Sequence, residues 1–435
     1  MDVKLSKFNH YVHIDETLVI WNRLRNSIGY LTPFCNSHLD IDSIPEEKIN
    51  GLMSHGFVIP SNIDEDLLGD YYHEKKINDS SLSLTILASE NCNFRCQYCF
   101  DEFHRTNINE IVMWDLISYI KRNIGRYTGL NISWFGGEPL LAKDALYTLS
   151  DELIHTCKQV SRPYFASITT NGYLLDYETF KKLLQYKVIH YTITIDGTAE
   201  THDANRPLRS GGGTFDRIIQ NLRNIRDYVK SQQFKIVLRT NITTDILQKF
   251  DEYLTFMQAE FGSDRRFTFL FSPVYDWGGS RINEIREKLI YSMLDVYAIL
   301  LNKDYQLNME SLIGQLGHNI CSYARKNTYT IDTCGNVFLC PQARDNPVGK
   351  LSNGKIVLDE YKIAYWYSLS SGFVEECIKC EDYAICKGKS CVNNLWRLSK
   401  NGKTPHQLNC GREYSNLDEV LKILYKMNKN ILIEL

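Results

Sequence analysis

The sequence predicts an α/β fold built on a parallel sheet, with a small domain before it and a cysteine-rich domain after it. Three observations carry this. Apolar, β-rich runs alternate with helix-like segments from residue 83 to about residue 302, a short strand-and-helix pattern precedes them, and 8 of the 13 cysteines crowd between Cys321 and Cys410. With 435 residues, 43% apolar and 23% charged, the chain can bury a real core.

Residues 8–23, FNHYVHIDETLVIWNR, read as two short strands around a polar turn, followed by an amphipathic stretch. A helix is predicted from IPEEKIN, with Pro45 early and acidic residues in its first turn, and the apolar run GFVIP follows it. The order suggests a small winged-helix-like unit. The acidic stretch of residues 61–80 has the composition of a linking helix and loop, so the first boundary is expected at residue 80.

Six runs then read as strands: SLTILAS, NISWFG, FASITTNG, IHYTITIDG, KIVLRTNIT and RFTFLFSP. Helix-like segments such as IVMWDLISYIKRNI and TFDRIIQNLRNIRDYVK separate them, giving six βα units. The sheet is expected to be parallel, doubly wound or curled into a partial barrel, with its chemistry on the loops at the strands' C-terminal ends. Periodicity does not choose between the two. Past the helical segment near 281–302 the pattern is loop-rich and cysteine-dense to about residue 412, before a final amphipathic helix, NLDEVLKILYKMNK. The expected domains are 1–80, 81–302, 303–415 and 416–435.

Charge and hydropathy exclude several classes. A net charge of −3 and the lack of basic runs interleaved with aromatics argue against nucleic acid as a partner. The start MDVKLSKFNH has no apolar h-region, and no window approaches the roughly 18 apolar residues of a membrane span, so no membrane role and a cytoplasmic location are expected. In such a chain an odd number of cysteines favours metal or cluster ligation over disulfides. Cys35 and Cys157 stand alone and read as packing residues.

The sharpest signal is CNFRCQYCF, residues 92–100, directly after the first predicted strand of the sheet. Cys92, Cys96 and Cys99 can converge from one loop on one metal centre, and soft thiolates suit an iron–sulfur cluster. A four-iron cluster held by three cysteines leaves one iron open to a chelating cofactor. A zinc site or three buried cysteines would also satisfy the spacing.

CNFRCQYCF, with its aromatic Tyr98 before the last cysteine, resembles the CxxxCxxC motif of radical S-adenosylmethionine (SAM) enzymes. The resemblance implies a partial (β/α)6 TIM-type barrel and a cluster that reductively cleaves SAM to a 5′-deoxyadenosyl radical, which abstracts hydrogen from an unactivated carbon. Gly136, Gly137, Glu138 and Pro139, after the second strand, look like the GGEP segment that binds the methionine amino group; paired glycines let backbone approach a ligand. By the same resemblance Thr170 and Asn171 after the third strand, and Thr194 and Asp196 after the fourth, would line the cofactor's ribose and carboxylate. Arg239 with Asn241 on the fifth resembles the arginine that pairs with that carboxylate, a task suited to bidentate geometry. Thr170, Asp196 and Asn241 could instead cap helices or turns. The segment HDANRPLRSGGGTF, residues 202–215, resembles a loop common in the peptide-modifying branch. Read on its own, it is a flexible glycine loop running into a helix N-cap at Thr214.

The later cysteines resemble the seven-cysteine SPASM extension, which holds one or two auxiliary [4Fe-4S] clusters. In family order, Cys321, Cys340 and Cys391 would hold the first, and Cys377, Cys380, Cys386 and Cys410 the second, for three clusters in all. Two departures matter. Four residues rather than the usual three separate Cys386 from Cys391, and no cysteine closely precedes Cys321, leaving Cys334 or an open site as fourth ligand. Cys377-x2-Cys380 alone would also suit a zinc ribbon.

The N-terminal order resembles the precursor-recognition domains fused to enzymes that mature ribosomally made peptides, which bind a leader peptide by strand addition; a plain structural cap is the alternative. The implied activity is a peptide maturase forming an oxidative thioether, C–C or C–O crosslink. Its implied partners are a precursor peptide and an electron donor such as flavodoxin or ferredoxin. A formylglycine-forming sulfatase maturase is the second reading, and a noncatalytic zinc-binding or electron-transfer protein the third.

Overall fold

The structure is a computed structural model. It describes residues 2–34, 39–103, 107–276, 279, 281–290, 293–302, 321–370, 379, 383–386, 393, 417–428 and 432–434. They divide into two compact units: residues 79–291 with 322–365, and residues 1–78 with 292–321 and 366–435.

In the N-terminal unit β1 (Val3–Leu5) pairs antiparallel with β5 (Val58–Pro60), and β2 (Asn9–Ile14), β3 (Thr17–Asn22) and β4 (Ser27–Leu31) form a meander. The two strands expected in residues 8–23 are β2 and β3, which reverse at Asp15, held at φ 51°, a left-handed conformation that Asp tolerates. Leu18 and Ile20 of β3 bury against Leu52 of the helix Glu46–Ser54 and against Phe57 and Val58. Asn22, almost fully buried, spends its amide on Ser6 Oγ, the Asn9 side chain and Gly56 O, so its burial leaves no donor unmet. The chain's far end completes this unit: the strand at Ile433–Glu434 pairs parallel with β4, and the helix Leu417–Asn428 meets the meander through Asp418 on His10 (2.8 Å) and Tyr425 on Thr17 (3.2 Å).

The other unit is built on β6 (Leu82–Ser89), β7 (Leu130–Gly136), β8 (Tyr164–Thr170), β9 (Val188–Thr194), β10 (Lys235–Ile242) and β11 (Phe267–Pro273). All six expected strands are present, parallel and in sequential order. That order has no reversal and therefore no switch point of the doubly wound kind; every strand end carrying a motif lies on the same edge. Helices with one apolar stripe, such as Glu110–Asn123 with Val112, Leu116 and Ile120, cover the sheet.

The sheet does not end at β6. β12 (Thr328–Ile331) pairs parallel with it, and β13 (Asn336–Phe338), β14 (Gly349–Ser352) and β15 (Lys355–Leu358) continue it antiparallel to ten strands. Residues 322–365, expected to belong to the cysteine-rich domain, are thus part of the same compact unit as the parallel sheet, because β6 offers its free backbone edge to β12. With β16 (Ile433–Glu434), the C-terminal stretch likewise joins the N-terminal unit. Among the described residues no helix is long and apolar enough to cross a membrane.

Candidate active site at the cysteine loop

Beyond β6 the chain turns into the loop of Cys92, Cys96 and Cys99. Phe94, fully buried, anchors it by an edge-on contact with Tyr173, and its N–H donates to Cys92 Sγ at 3.4 Å. A second segment zips onto the loop: Arg95 N–H donates to Pro207 O (2.9 Å), Gln97 N–H to Asn205 O (3.0 Å) and Arg209 N–H to Asn93 O (2.7 Å). The first half of the 202–215 segment therefore carries the cysteine loop, while Gly211–Gly213, exposed, lead into the helix N-cap position at Thr214. The helix does start at Phe215, but its cap is Asp203, whose carboxylate accepts from the Thr214 and Phe215 N–H groups while the Thr214 hydroxyl turns to Arg206 O.

Glu138 is a buried hub. One carboxylate oxygen accepts from the Thr170 hydroxyl (2.7 Å) and Leu140 N–H (3.0 Å), the other from Asn171 N–H (2.7 Å). Burial raises its pKa, and the bonds from Asn171, Thr170 and Leu140 oppose the rise. Gly136, at φ 124°, and Gly137 run against the loop: a Cβ on the first would collide with Ser89 O and on the second with Asn91 O. Pro139 opens the short helical turn that follows. Asn171 then reaches Asn93 Oδ1 at 2.8 Å, tying the third strand's end to the cysteine loop.

Asp196 is the second hub. It accepts from the Tyr98 hydroxyl and from Asn241 N–H (2.7 Å), and pairs with Arg206 at 3.8 Å. Arg206 donates to Tyr98 Oη at 2.6 Å with its guanidinium over the Phe94 ring, and the Asn241 amide donates to the same hydroxyl at 3.0 Å. Burial alone would lower the Arg206 pKa, but Cys96, Tyr98 and Asp196 together hold it above its ordinary value, so the cation persists. Burial raises Asp196, against the pull of Arg206 and Tyr98. His202 accepts from Asp196 N–H through Nδ1, and burial keeps the ring neutral. Arg239 donates to Asn241 Oδ1 at 2.9 Å, while Thr194 ends β9 with no side-chain bond in this network.

Burial pushes the Cys92 thiol up to about 12, with Glu138 adding to it, and the Cys99 thiol up to about 12, with Cys96 adding. Cys96 is raised by burial and pulled back by Arg206 and Arg281. The three thiols feel one another. Among the described residues, no three His, Cys, Asp or Glu side chains are grouped closely enough to hold a metal ion.

The structure thus brings Tyr98, Glu138, Thr170, Asn171, Asp196, Arg239 and Asn241 into two hydrogen-bonded networks at the cysteine loop. Sequence reading missed the roles of Arg206, His202, Asp203 and Asn93; the signals available were the 202–215 segment for the first three and the cysteine motif itself for Asn93. Of the later cysteines, Cys321 and Cys334 are exposed, and Cys340 is buried with Sγ on Gln342 Oε1 (3.1 Å). Cys386 ends a short helix, Tyr383–Cys386. Cys377, Cys380, Cys391 and Cys410, like Cys35, lie outside the described residues.

Comparisons with known proteins agree with this arrangement. The family model described as Radical SAM superfamily matches residues 86–254. A cysteine-type anaerobic sulfatase-maturating enzyme of Clostridium perfringens is 24% identical over 336 residues, spanning 71% of this chain and 88% of that protein. Its counterpart in Clostridium novyi is 26% identical over 351 residues, 71% and 87%. The structure of anSMEcpe with bound AdoMet and Cp18Cys peptide superposes with TM-score 0.56 at 19% identity, covering 80% of this chain and 96% of that one. Streptococcus suis SuiB bound to the precursor peptide SuiA gives TM-score 0.51 at 16% identity, covering 93% and 98%. Motif, strand order and family model coincide on one stretch, and residues 86–254 are a radical SAM domain.

Proposed function

We propose that this chain is a radical SAM peptide maturase that installs an oxidative crosslink, a thioether, C–C or C–O bond, in a ribosomally made precursor peptide. The observation that carries the reading is the cysteine loop itself, set at the C-terminal edge of a sequential parallel sheet and braced by the Glu138 and Asp196 networks.

The residues fit the cofactors of the family. Three soft thiols whose hold on their protons is strengthened by burial become ligands when a metal takes the proton's place, and Arg206 and Arg281 balance the negative charge that results. The buried Asn93 Nδ2 has no partner among the described residues and is available to a ligand. Cys92, Cys96 and Cys99 would hold a [4Fe-4S] cluster, and the backbone of Gly136–Glu138 with Asn171, Asn241 and Arg239 would hold SAM. When bound, the pair supplies a 5′-deoxyadenosyl radical that abstracts hydrogen from a carbon. The protein's part is orientation: Glu138 ties the ends of the second and third parallel strands together, and Tyr98 is pinned from three sides, so the loop is held in one geometry.

Two further assignments rest on the cysteine pattern and the reach of the neighbours. Auxiliary clusters on the later cysteines, with Cys334 or an open site as the fourth ligand of the first, would accept the electron that a net oxidation releases. The N-terminal unit, winged-helix-like in order, would bind the leader. Support for it is that the SuiB fold extends over 93% of this chain, whereas that of anSMEcpe covers 80%.

The second reading, formylglycine formation on a sulfatase, is favoured by the Clostridium relatives. The test is iron and sulfide content after anaerobic reconstitution, with 5′-deoxyadenosine assayed under reductant, in wild type and in the Cys92/Cys96/Cys99 triple alanine variant. About twelve irons in wild type and about eight in the variant, with deoxyadenosine from wild type alone, support the reading. Mass loss of two hydrogens from a precursor peptide separates crosslinking from a Cys-to-formylglycine change. Zinc without deoxyadenosine overturns both.

A further inference from the structure

We propose that His202 is a positioning residue for the cysteine loop, whose Nδ1 accepts the Asp196 N–H and so fixes Asp196 and, through it, Tyr98. The inference rests on the reading of Cys92, Cys96 and Cys99 as cluster ligands.

The parallel ladder runs out at this point. Ile195 N–H, one residue beyond β9, still donates to Arg239 O at 2.9 Å, and the next N–H, that of Asp196, donates to His202 Nδ1 at 3.1 Å. The Asp196 carbonyl is taken at 3.3 Å by the hydroxyl of Thr201, which shares its proton with Thr198 O at 3.1 Å. Both backbone groups of one residue are thus held by side chains of the helix Ala199–Asn205, across a turn that Gly197 makes at φ 86°. Arg206, just past that helix, pairs with the carboxylate of the same residue. An amide N–H can only donate, so Nδ1 carries a lone pair and the proton of the ring sits on Nε2. His202 is fully buried, its ring lies edge-on to Phe215 with centres 5.7 Å apart, and Nε2 has no partner among the described residues. The polar contact that its side chain makes there is the one to Asp196.

That bond reaches the cluster ligands in two steps. Asp196 accepts from the Tyr98 hydroxyl, and Tyr98 stands between Cys96 and Cys99 in the loop. Were the Asp196 peptide free to turn, its carboxylate would leave Tyr98 and Asn241 N–H together. Protonating His202 would have that effect, because an imidazolium sets a second donor against the Asp196 N–H. Arg206 is the charge that acts on the ring; Asp203, on the same helix, is turned to the Thr214 and Phe215 N–H groups, and Asp196 comes from the end of β9. A ring that is neutral in the closed loop and ordinary once the loop opens ties the closed form to pH. Its hold is complete above about 6.5 and is lost as pH falls below that value.

The test compares the full chain with His202→Asn and His202→Phe. Asn sets a carbonyl oxygen where Nδ1 stands and does not titrate; Phe keeps a ring against Phe215 but accepts nothing. In cluster-free protein, hydrogen exchange of the Asp196 amide, corrected for its intrinsic rate, should lose about tenfold of its protection between about pH 7.5 and 5.5 in wild type and none in His202→Asn. Iodoacetamide at pH 8 should label Cys99 about tenfold faster in His202→Phe and within about threefold of wild type in His202→Asn. After reconstitution, SAM binding by equilibrium dialysis should weaken about tenfold in His202→Phe and recover in His202→Asn. A wild-type protection profile flat in pH, equal labelling of all three chains, or a His202→Asn chain as defective as His202→Phe would each overturn the proposal. Should His202→Phe not fold, the exchange profiles of wild type and His202→Asn decide. Wild type that takes up no iron would overturn the cluster reading instead, and the exchange and labelling measurements, made without iron, would still judge His202.

Discussion

The loop of Cys92, Cys96 and Cys99 and the loop of Cys334 and Cys340 lie in one compact unit and are held by different means. The first is braced from four strand ends through buried charge: Glu138, Asp196 and Arg206 take nearly all their partners from distant segments. The second is a local turn. Asp332 caps it by accepting from Cys334 and Asn336 N–H groups at 2.9 and 2.8 Å, Gly335 supplies φ 80°, and Cys334 remains exposed. Two bridges join them: Thr333 bonds to Glu90, and Arg344 pairs with Glu90 and Asp101. The contrast separates a place where geometry is fixed before any ligand arrives from one where the ligand's own bonds must complete it.

The strongest way to break this contrast is Arg206→Gln, which removes a buried cation and leaves Asp196 under-compensated. We expect a loss of about 3–5 kcal/mol in urea unfolding. If Arg344→Gln, whose guanidinium is more open to solvent, cost as much, the two loops would not differ as described.

Thiol reactivity sharpens the same comparison. In cluster-free protein, burial keeps Cys92 and Cys99 protonated, so iodoacetamide at pH 8 should label exposed Cys334 faster by about two orders of magnitude or more. Labelling of the first pair should climb as pH rises toward about 12, which peptide mass mapping can follow.

Gly137→Ala sets a Cβ against Asn91 O and Cys92, displacing the loop by a fraction of an ångström or more. Deoxyadenosine formation should fall by about 100-fold with little change in iron content. The smallest effect is expected at the bridge: Thr333→Val removes a hydroxyl from a buried carboxylate and should cost about 1–3 kcal/mol, read as a lowered urea midpoint.

Much of the parallel sheet was legible because each strand advertises itself locally. Runs such as SLTILAS and KIVLRTNIT are bounded by turn residues and separated by helical periodicity, and the structure places all six where they read. The cysteine loop was legible from its spacing and its place after a strand, whereas the polar residues at the strand ends were singled out by the resemblance to radical SAM enzymes. The 202–215 segment was not legible: its glycines look like free loop, and only its pairing with residues 93–97 gives it a task.

What the sequence determined by itself is therefore the succession of strand and helix segments along the chain and the loop that bears Cys92, Cys96 and Cys99. These follow from local propensity and from the period at which apolar residues recur. Only the tertiary structure decided that Glu138 spends its carboxylate on Thr170, Leu140 and Asn171, that Arg206 is buried beside Tyr98 and Asp196, and that β12–β15 extend the parallel sheet while β16 completes the N-terminal one. Those outcomes depend on which backbone edges and buried charges find partners far away in the chain. A buried polar group must be satisfied somewhere, and nothing local says where.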